Sequence, residues 1–98
     1  MKNRIIYKYQ ISRFPETSIS MPVNSIFLRL AVQDNEPYMW FMHDPEEKER
    51  TDRKFIVRMT GKTFDLAESR YLGSFQLEDA DNHWGRFVGH VFEFEESL

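Results

Sequence analysis

Three histidines are the first candidates for chemistry in this chain: His43, His83 and His90. Histidine ligates transition metals and works as a general base near neutral pH. Carboxylates stand close by in sequence, Asp44 beside His43 and Asp79 and Asp81 near His83. However, no two histidines have the i, i+2 or i, i+4 spacing that sets two ligands on one face of a strand or helix. Each lies in a different segment, so neither a metal site nor a cofactor is expected. The bland reading is one strand-end histidine, one turn histidine and one semi-buried histidine.

His90 is the most informative of the three. Residues 84–94, WGRFVGHVFEF, read as a strand, and period-two alternation aligns His90 with Val88, Phe92 and Phe94. The opposite face carries Phe87, Gly89, Val91, Glu93 and Glu95. If the first face is the core, His90 is a buried polar group in need of a hydrogen-bond partner. Tyr7, Tyr9, Tyr71 or a backbone carbonyl would serve. His90 is therefore expected to be structural, not catalytic.

Other routes to catalysis are thinner. No serine sits in a strained G-x-S-x-G elbow. Glu93, Glu95 and Glu96 crowd together near the last residues, a pattern more typical of a solvated sheet edge than of a carboxylate pair at work. A small enzyme using His90 with a carboxylate is the weakest option, and the balance is against an enzyme.

The elements that position these residues read as strands. Residues 4–11 alternate Ile5, Tyr7, Tyr9 and Ile11 with polar neighbours, interrupted at Phe14-Pro15-Glu16. Residues 17–21 form a short strand stopped by Pro22. Residues 25–33 set Ile26, Leu28, Leu30 and Val32 on one face. A turn cluster, Asp34-Asn35-Glu36-Pro37, leads into 38–43, YMWFMH, so a hairpin is expected. Its second arm is apolar on both faces, as suits a central strand or an apolar binding surface.

Residues 44–52 read as a charged, solvated connector. Residues 53–60 follow as a strand with Phe55, Val57 and Met59 on one side and Lys54, Ile56 and Arg58 on the other. Residues 62–69 hold the one plausible helix, of two turns at most, with Thr63 as its cap. Residues 70–77 make another strand, with Gly73 at a bulge or close approach. The fold class is mainly β: a small antiparallel domain over residues 1–98, barrel-like or a sandwich, with at most one short helix.

Composition narrows the function classes. With 41% hydrophobic and 15% aromatic residues in 98, the chain is not of disordered type and has room for one modest core. A formal charge of −3 argues against nucleic acid as the default partner. No cysteine is present, so disulfides and thiol chemistry are excluded and a reducing cytoplasm is the natural home. No stretch is apolar enough for a signal-peptide core or a bilayer span.

The aromatic surplus is the best functional clue. Tyr38, Trp40, Phe41, Trp84, Phe87, Phe92 and Phe94 are more than so small a core easily encloses. Aromatics and Met with Arg nearby are what protein interfaces favour. The candidate docking residues are Arg29, Tyr38, Trp40, Phe41, His43, Trp84 and Arg86, with Arg58 a further flanking cation. The alternative is that most of these simply build the core.

Several fragments in order carry a resemblance. They are I-I-Y-K-Y (Ile5 to Tyr9), Met21-Pro22, Val32-Gln33-Asp34-Asn35, Trp40 followed by Asp44-Pro45, Thr60-Gly61, Tyr71-Leu72-Gly73-Ser74-Phe75 and His90-Val91-Phe92-Glu93. Together they resemble a family of short, uncharacterised proteins of phages and bacterial genomes. The resemblance implies a compact single-domain protein of phage or prophage origin and carries over no activity. Where that family often has a glycine-histidine pair after the Thr-Gly step, this chain has Lys62.

Two functions are expected to compete. The first is a non-catalytic phage-type accessory protein that docks on a host or phage protein through an aromatic sheet face, inhibition of host defence being one use. The second is a homo-oligomer that binds or sequesters a small, nucleotide-like ligand.

Overall fold

The computed structural model describes residues 3–12, 16–65, 69–78 and 86–94. Seven strands run in order: β1 (Ile5–Gln10), β2 (Glu16–Pro22), β3 (Ile26–Gln33), β4 (Glu36–His43), β5 (Arg50–Met59), β6 (Ser69–Glu78) and β7 (Arg86–Phe94). They form two antiparallel sheets, one of three strands ordered β1-β4-β3 and one of four ordered β2-β5-β7-β6. The all-β class read from alternation is what the chain adopts, as two sheets and not a closed barrel. Among the described residues there is no helix. Residues 62–65 are irregular, and Leu66 to Glu68 of the expected helix lie outside the described residues. No helix of the described residues is long and apolar enough to cross a membrane.

The β3–β4 hairpin closes on Asp34 and Asn35, both with positive φ (52° and 58°). This two-residue geometry matches strand twist, and Asp and Asn tolerate it better than most residues. Glu36 and Pro37, expected in the turn, begin β4 instead. Asn35 also reaches the other sheet. Its Nδ2 donates to the Glu78 carbonyl at 2.6 Å, and its Oδ1 accepts from the Glu78 N–H at 2.8 Å.

One apolar cluster lies between the sheets. Ile11, Met39 and Phe41 reach it from the three-stranded side, and Phe55, Val57, Phe75, Leu77, Phe87 and Val91 from the four-stranded side. Phe41 is its hub, with edge-on contacts to Tyr9, Phe27 and Phe55 at 6.0, 5.6 and 5.8 Å between ring centres.

Three expectations change. In β7 the inward face is Phe87, Gly89, Val91 and Glu93, whereas Val88, His90, Phe92 and Phe94 are half-buried on the outside. Alternation divided the strand correctly, but both faces are apolar and do not announce which one is covered. In β3 a bulge between Phe27 and Arg29 inserts Leu28 and breaks the alternation. Phe27 and Leu30 therefore pack inward, while Ile26 and Leu28 are exposed. Finally, β5 begins at Arg50, inside the expected charged connector. Arg50 pairs with Pro22, Thr51 with Met21 and Asp52 with Ser20. Pairing with β2 overrides a composition that locally disfavours strand.

Glycine matters at two positions. At Gly73 the β6 ladder shifts register, φ is 151°, and a Cβ would sit 3.2 Å from Leu30 Cδ2 of the facing sheet. At Gly89 a Cβ would stand 2.6 Å from Phe75 Cζ and 2.8 Å from Val57 Cγ1, deep in the core. Gly89→Ala must displace packed side chains. It is expected to destabilise the fold by about 1–3 kcal/mol, read as a lower urea midpoint at unchanged slope.

Candidate functional site

The outer face of the three-stranded sheet is built around β4. Its residues alternate: Pro37, Met39, Phe41 and His43 are buried, while Glu36, Tyr38, Trp40 and Met42 face outward and half-buried. The neighbours follow from register. Ile6 and Ile26 flank Met42, Lys8 and Arg29 flank Trp40, and Gln10 and Ala31 flank Tyr38. The bulge adds Leu28 beside Arg29. Ile6 is 57% exposed, Ile26 52% and Leu28 44%. Lys8 donates to Gln33 Oε1 at 2.9 Å and lies 4.6 Å from the Tyr38 ring centre. The rings of Tyr38 and Trp40 tilt against each other at 6.3 Å.

This face is an indole set between two cations, with a phenol beside it, and exposed aliphatics at its rim. Large contiguous apolar patches on a protein surface mark interaction sites. It offers neither an acid–base pair nor a metal-binding cluster. Among the described residues no group of three or more His, Asp or Glu is placed to hold a metal.

The expected docking residues separate. Arg29, Tyr38 and Trp40 share this face. Phe41 and His43 do not: both point inward, with 0% and 2% of their surface exposed, because alternation along β4 assigns them to the core side. Arg86 opens β7 in the other sheet, exposed, with Nε 3.6 Å from Glu78 Oε1. Arg58 is also on that sheet, its guanidinium 5.3 Å from the Phe64 ring centre. Trp84 lies outside the described residues. Ile6, Ile26, Leu28 and Met42 were missed, since only the bulge and the pairing order gather them around Trp40.

The two described histidines differ in burial. His43 is the buried, satisfied one. Ser25 donates its hydroxyl proton to the Pro22 carbonyl at 2.6 Å, so its oxygen accepts from His43 Nδ1–H at 2.6 Å. His43 Nε2 then accepts the Tyr9 hydroxyl proton at 2.6 Å. In this arrangement the Ser25 proton is directed to the Pro22 carbonyl and not to His43. Burial, then the positive charges of Arg50 and Arg53, hold His43 below its ordinary pKa. Burial likewise raises the Tyr9 phenol, against the pull of Arg50.

His90 is half-buried on the outer side of the four-stranded sheet. Its Nε2 meets Thr60 Oγ1 at 2.7 Å and its Nδ1 meets Ser74 Oγ at 2.6 Å, with the Tyr71 hydroxyl 2.6 Å beyond Ser74. Both ring nitrogens meet hydroxyls, not a carboxylate. Of the partners expected for it, Tyr71 enters only through Ser74.

Behind Phe41 lies a charged core. Arg53 Nη2 donates to Glu93 Oε1 at 2.7 Å, and its Nε donates to Oε2. Its Nη1 donates to the Ser25 carbonyl at 2.6 Å, and its guanidinium lies 4.9 Å from the Phe41 ring centre. Arg70 adds a second cation 3.3 Å from Glu93 Oε1. The Glu93 side chain is 6% exposed and that of Arg53 15%.

These features define an all-β, two-sheet protein with an ionic core and an apolar outer face. The chain belongs to the family described as a domain of unknown function, DUF7352, whose family model matches residues 2–97. No curated protein and no solved structure matches it.

Glu93→Gln leaves Arg53 buried without its counter-charge. The expected loss is about 3–5 kcal/mol, a large part of the ~5–15 kcal/mol that small domains possess, measured by urea unfolding. His43 gives a pH signature. Its folded pKa lies below the unfolded value of about 6.5, so the unfolded chain binds more protons as pH falls through that value. The stabilisation is complete above about pH 6.5 and declines below it. Unfolding at pH 7.5 and 5.5 should show this loss, and His43→Asn should flatten it.

Proposed function

We propose that this protein is a non-catalytic binding module that docks on a protein partner through the outer face of the β1-β4-β3 sheet. One observation carries the reading: Trp40 stands between Lys8 and Arg29 in register, on a face that leaves Ile6, Ile26 and Leu28 exposed. Apolar centres with aromatic and Arg residues are where binding energy concentrates. The cations specify a partner surface that is apolar at its centre and carries carboxylates at its rim. Docking would act by covering the partner's own site. The resemblance to phage proteins favours an accessory role in an infected cell, such as blocking a host defence protein in the cytoplasm.

A second reading is kept by one cleft. Tyr7, Tyr9, Pro22 and Arg50, together with the acidic Asp44 and Glu47, line a recess over His43, where a planar, nucleotide-like ligand would stack on the tyrosines and pair with Arg50.

The test is affinity capture from the natural host with wild-type and Trp40→Ala protein. Wild type should retain a stoichiometric polypeptide. Trp40→Ala should weaken binding at least about 30-fold, some 2 kcal/mol, with its strand circular dichroism intact. Equal capture by both proteins would sink the docking face. A melting temperature raised by nucleotides, with nothing captured, would move the assignment to the cleft.

A further inference from the structure

Two sheets of this kind have four edges, and three are blunted. β2 ends on Pro22, β3 carries the bulge at Leu28, and β6 carries the register shift at Gly73. Prolines and bulges are what sheets use to prevent edge pairing. β1 carries neither. It is a regular six-residue strand, IIYKYQ, paired only to β4, and no described residue pairs with its far side. Its one charged side chain, Lys8, is drawn across the sheet to Gln33. Ile5, Ile6 and Tyr7 are 38%, 57% and 51% exposed.

The direction of the backbone groups on that far side can be deduced. The Ile11 N–H bonds the Pro37 carbonyl at 3.1 Å, so Ile11–Pro37 is a hydrogen-bonded position of the antiparallel register. Ile5, Tyr7 and Tyr9 share its parity and turn their backbone groups toward β4. Ile6, Lys8 and Gln10 must therefore direct N–H and C=O outward. We infer that this edge pairs with β1 of a second copy of the chain, antiparallel about a two-fold axis, joining two three-stranded sheets into one of six strands.

Side chains select the register. Only outward-directed residues can make hydrogen-bonded pairs across the axis. Centring it on Lys8 sets Lys8 against its own copy, and centring it on Ile6 sets Lys8 against Arg4. Both oppose like charges. Centring it on Tyr7 sets Lys8 against Ile6, Arg4 against Gln10, Ile5 against Tyr9, and Tyr7 against Tyr7 at the closer, non-hydrogen-bonded position. This register opposes no like charges and covers all three exposed apolar residues of β1. It also makes the outer faces of the two copies continuous.

The inference does not rest on the docking reading, because it concerns the edge and is read on the purified protein alone. Sedimentation equilibrium should give the mass of two 11.8 kDa chains. Ile6→Pro removes only an outward N–H, and Tyr7→Lys places like charges at the axis. Each should halve the mass and retain the strand circular dichroism signal. Because the chain has no cysteine, Tyr7→Cys supplies a single thiol. It should cross-link two copies on mild oxidation, as the closer pair brings Cα atoms within disulfide reach. A wild-type mass of one chain overturns the inference. So does a two-chain mass that survives both edge substitutions, or a two-chain Tyr7→Cys protein that does not cross-link.

Discussion

Arg53 is the interaction on which the structure depends. From β5 its guanidinium reaches Glu93 of β7, the Ser25 carbonyl before β3, and the Phe41 ring of β4. One side chain thereby ties both sheets and the turn between β2 and β3. A buried ion pair is seldom stabilising relative to apolar residues of the same shape, because desolvation offsets the attraction. Its effect is on which arrangement is allowed. Any slip of β7 against β5 would separate Glu93 from Arg53 and strand both charges. The ionic centre therefore fixes the register of a small core that apolar packing alone would specify loosely.

Burial first, and then the charges of the exposed Arg50 and of Arg53 in this centre, hold His43 below its ordinary pKa. Ser25 links the two networks, its hydroxyl to His43 and its carbonyl to Arg53. The polar atoms near the middle of the protein are thus already engaged with one another. The proposed docking face around Trp40 lies on the outside of its sheet, apart from this network.

Much of this architecture is legible in the chain. Period-two alternation locates the strands to within a few residues, and Asp34-Asn35 marks the hairpin. The inside and outside of the strands are harder to tell, because a thin protein with many aromatics makes β4 and β7 apolar on both faces. By its neighbours Phe92 and Phe94, His90 therefore reads as a core residue, whereas His43, two residues beyond Phe41, is the one that enters the core. Glu93 reads as a solvated edge residue until Arg53, forty positions away, is set beside it. The Leu28 bulge has no mark in a run of aliphatic residues. Of the proposed docking face, Tyr38, Trp40 and Arg29 could be anticipated from residue type. Ile6 and Ile26 could not, since they join it only through pairing order.

The double hydrogen bond from Asn35 to the backbone of Glu78 has a kinetic meaning. It fastens the tip of the β3–β4 hairpin to β6 with the geometry of one extra rung of ladder, while Arg53 fastens the layers from within. A hairpin held at tip and base has no hinge about which to flap. The face around Trp40 is then preformed, and little ordering entropy is lost when something lands on it. Encounters would proceed as collisions of rigid bodies, their frequency governed by diffusion and by the field of Lys8 and Arg29, with no slow opening step gating capture.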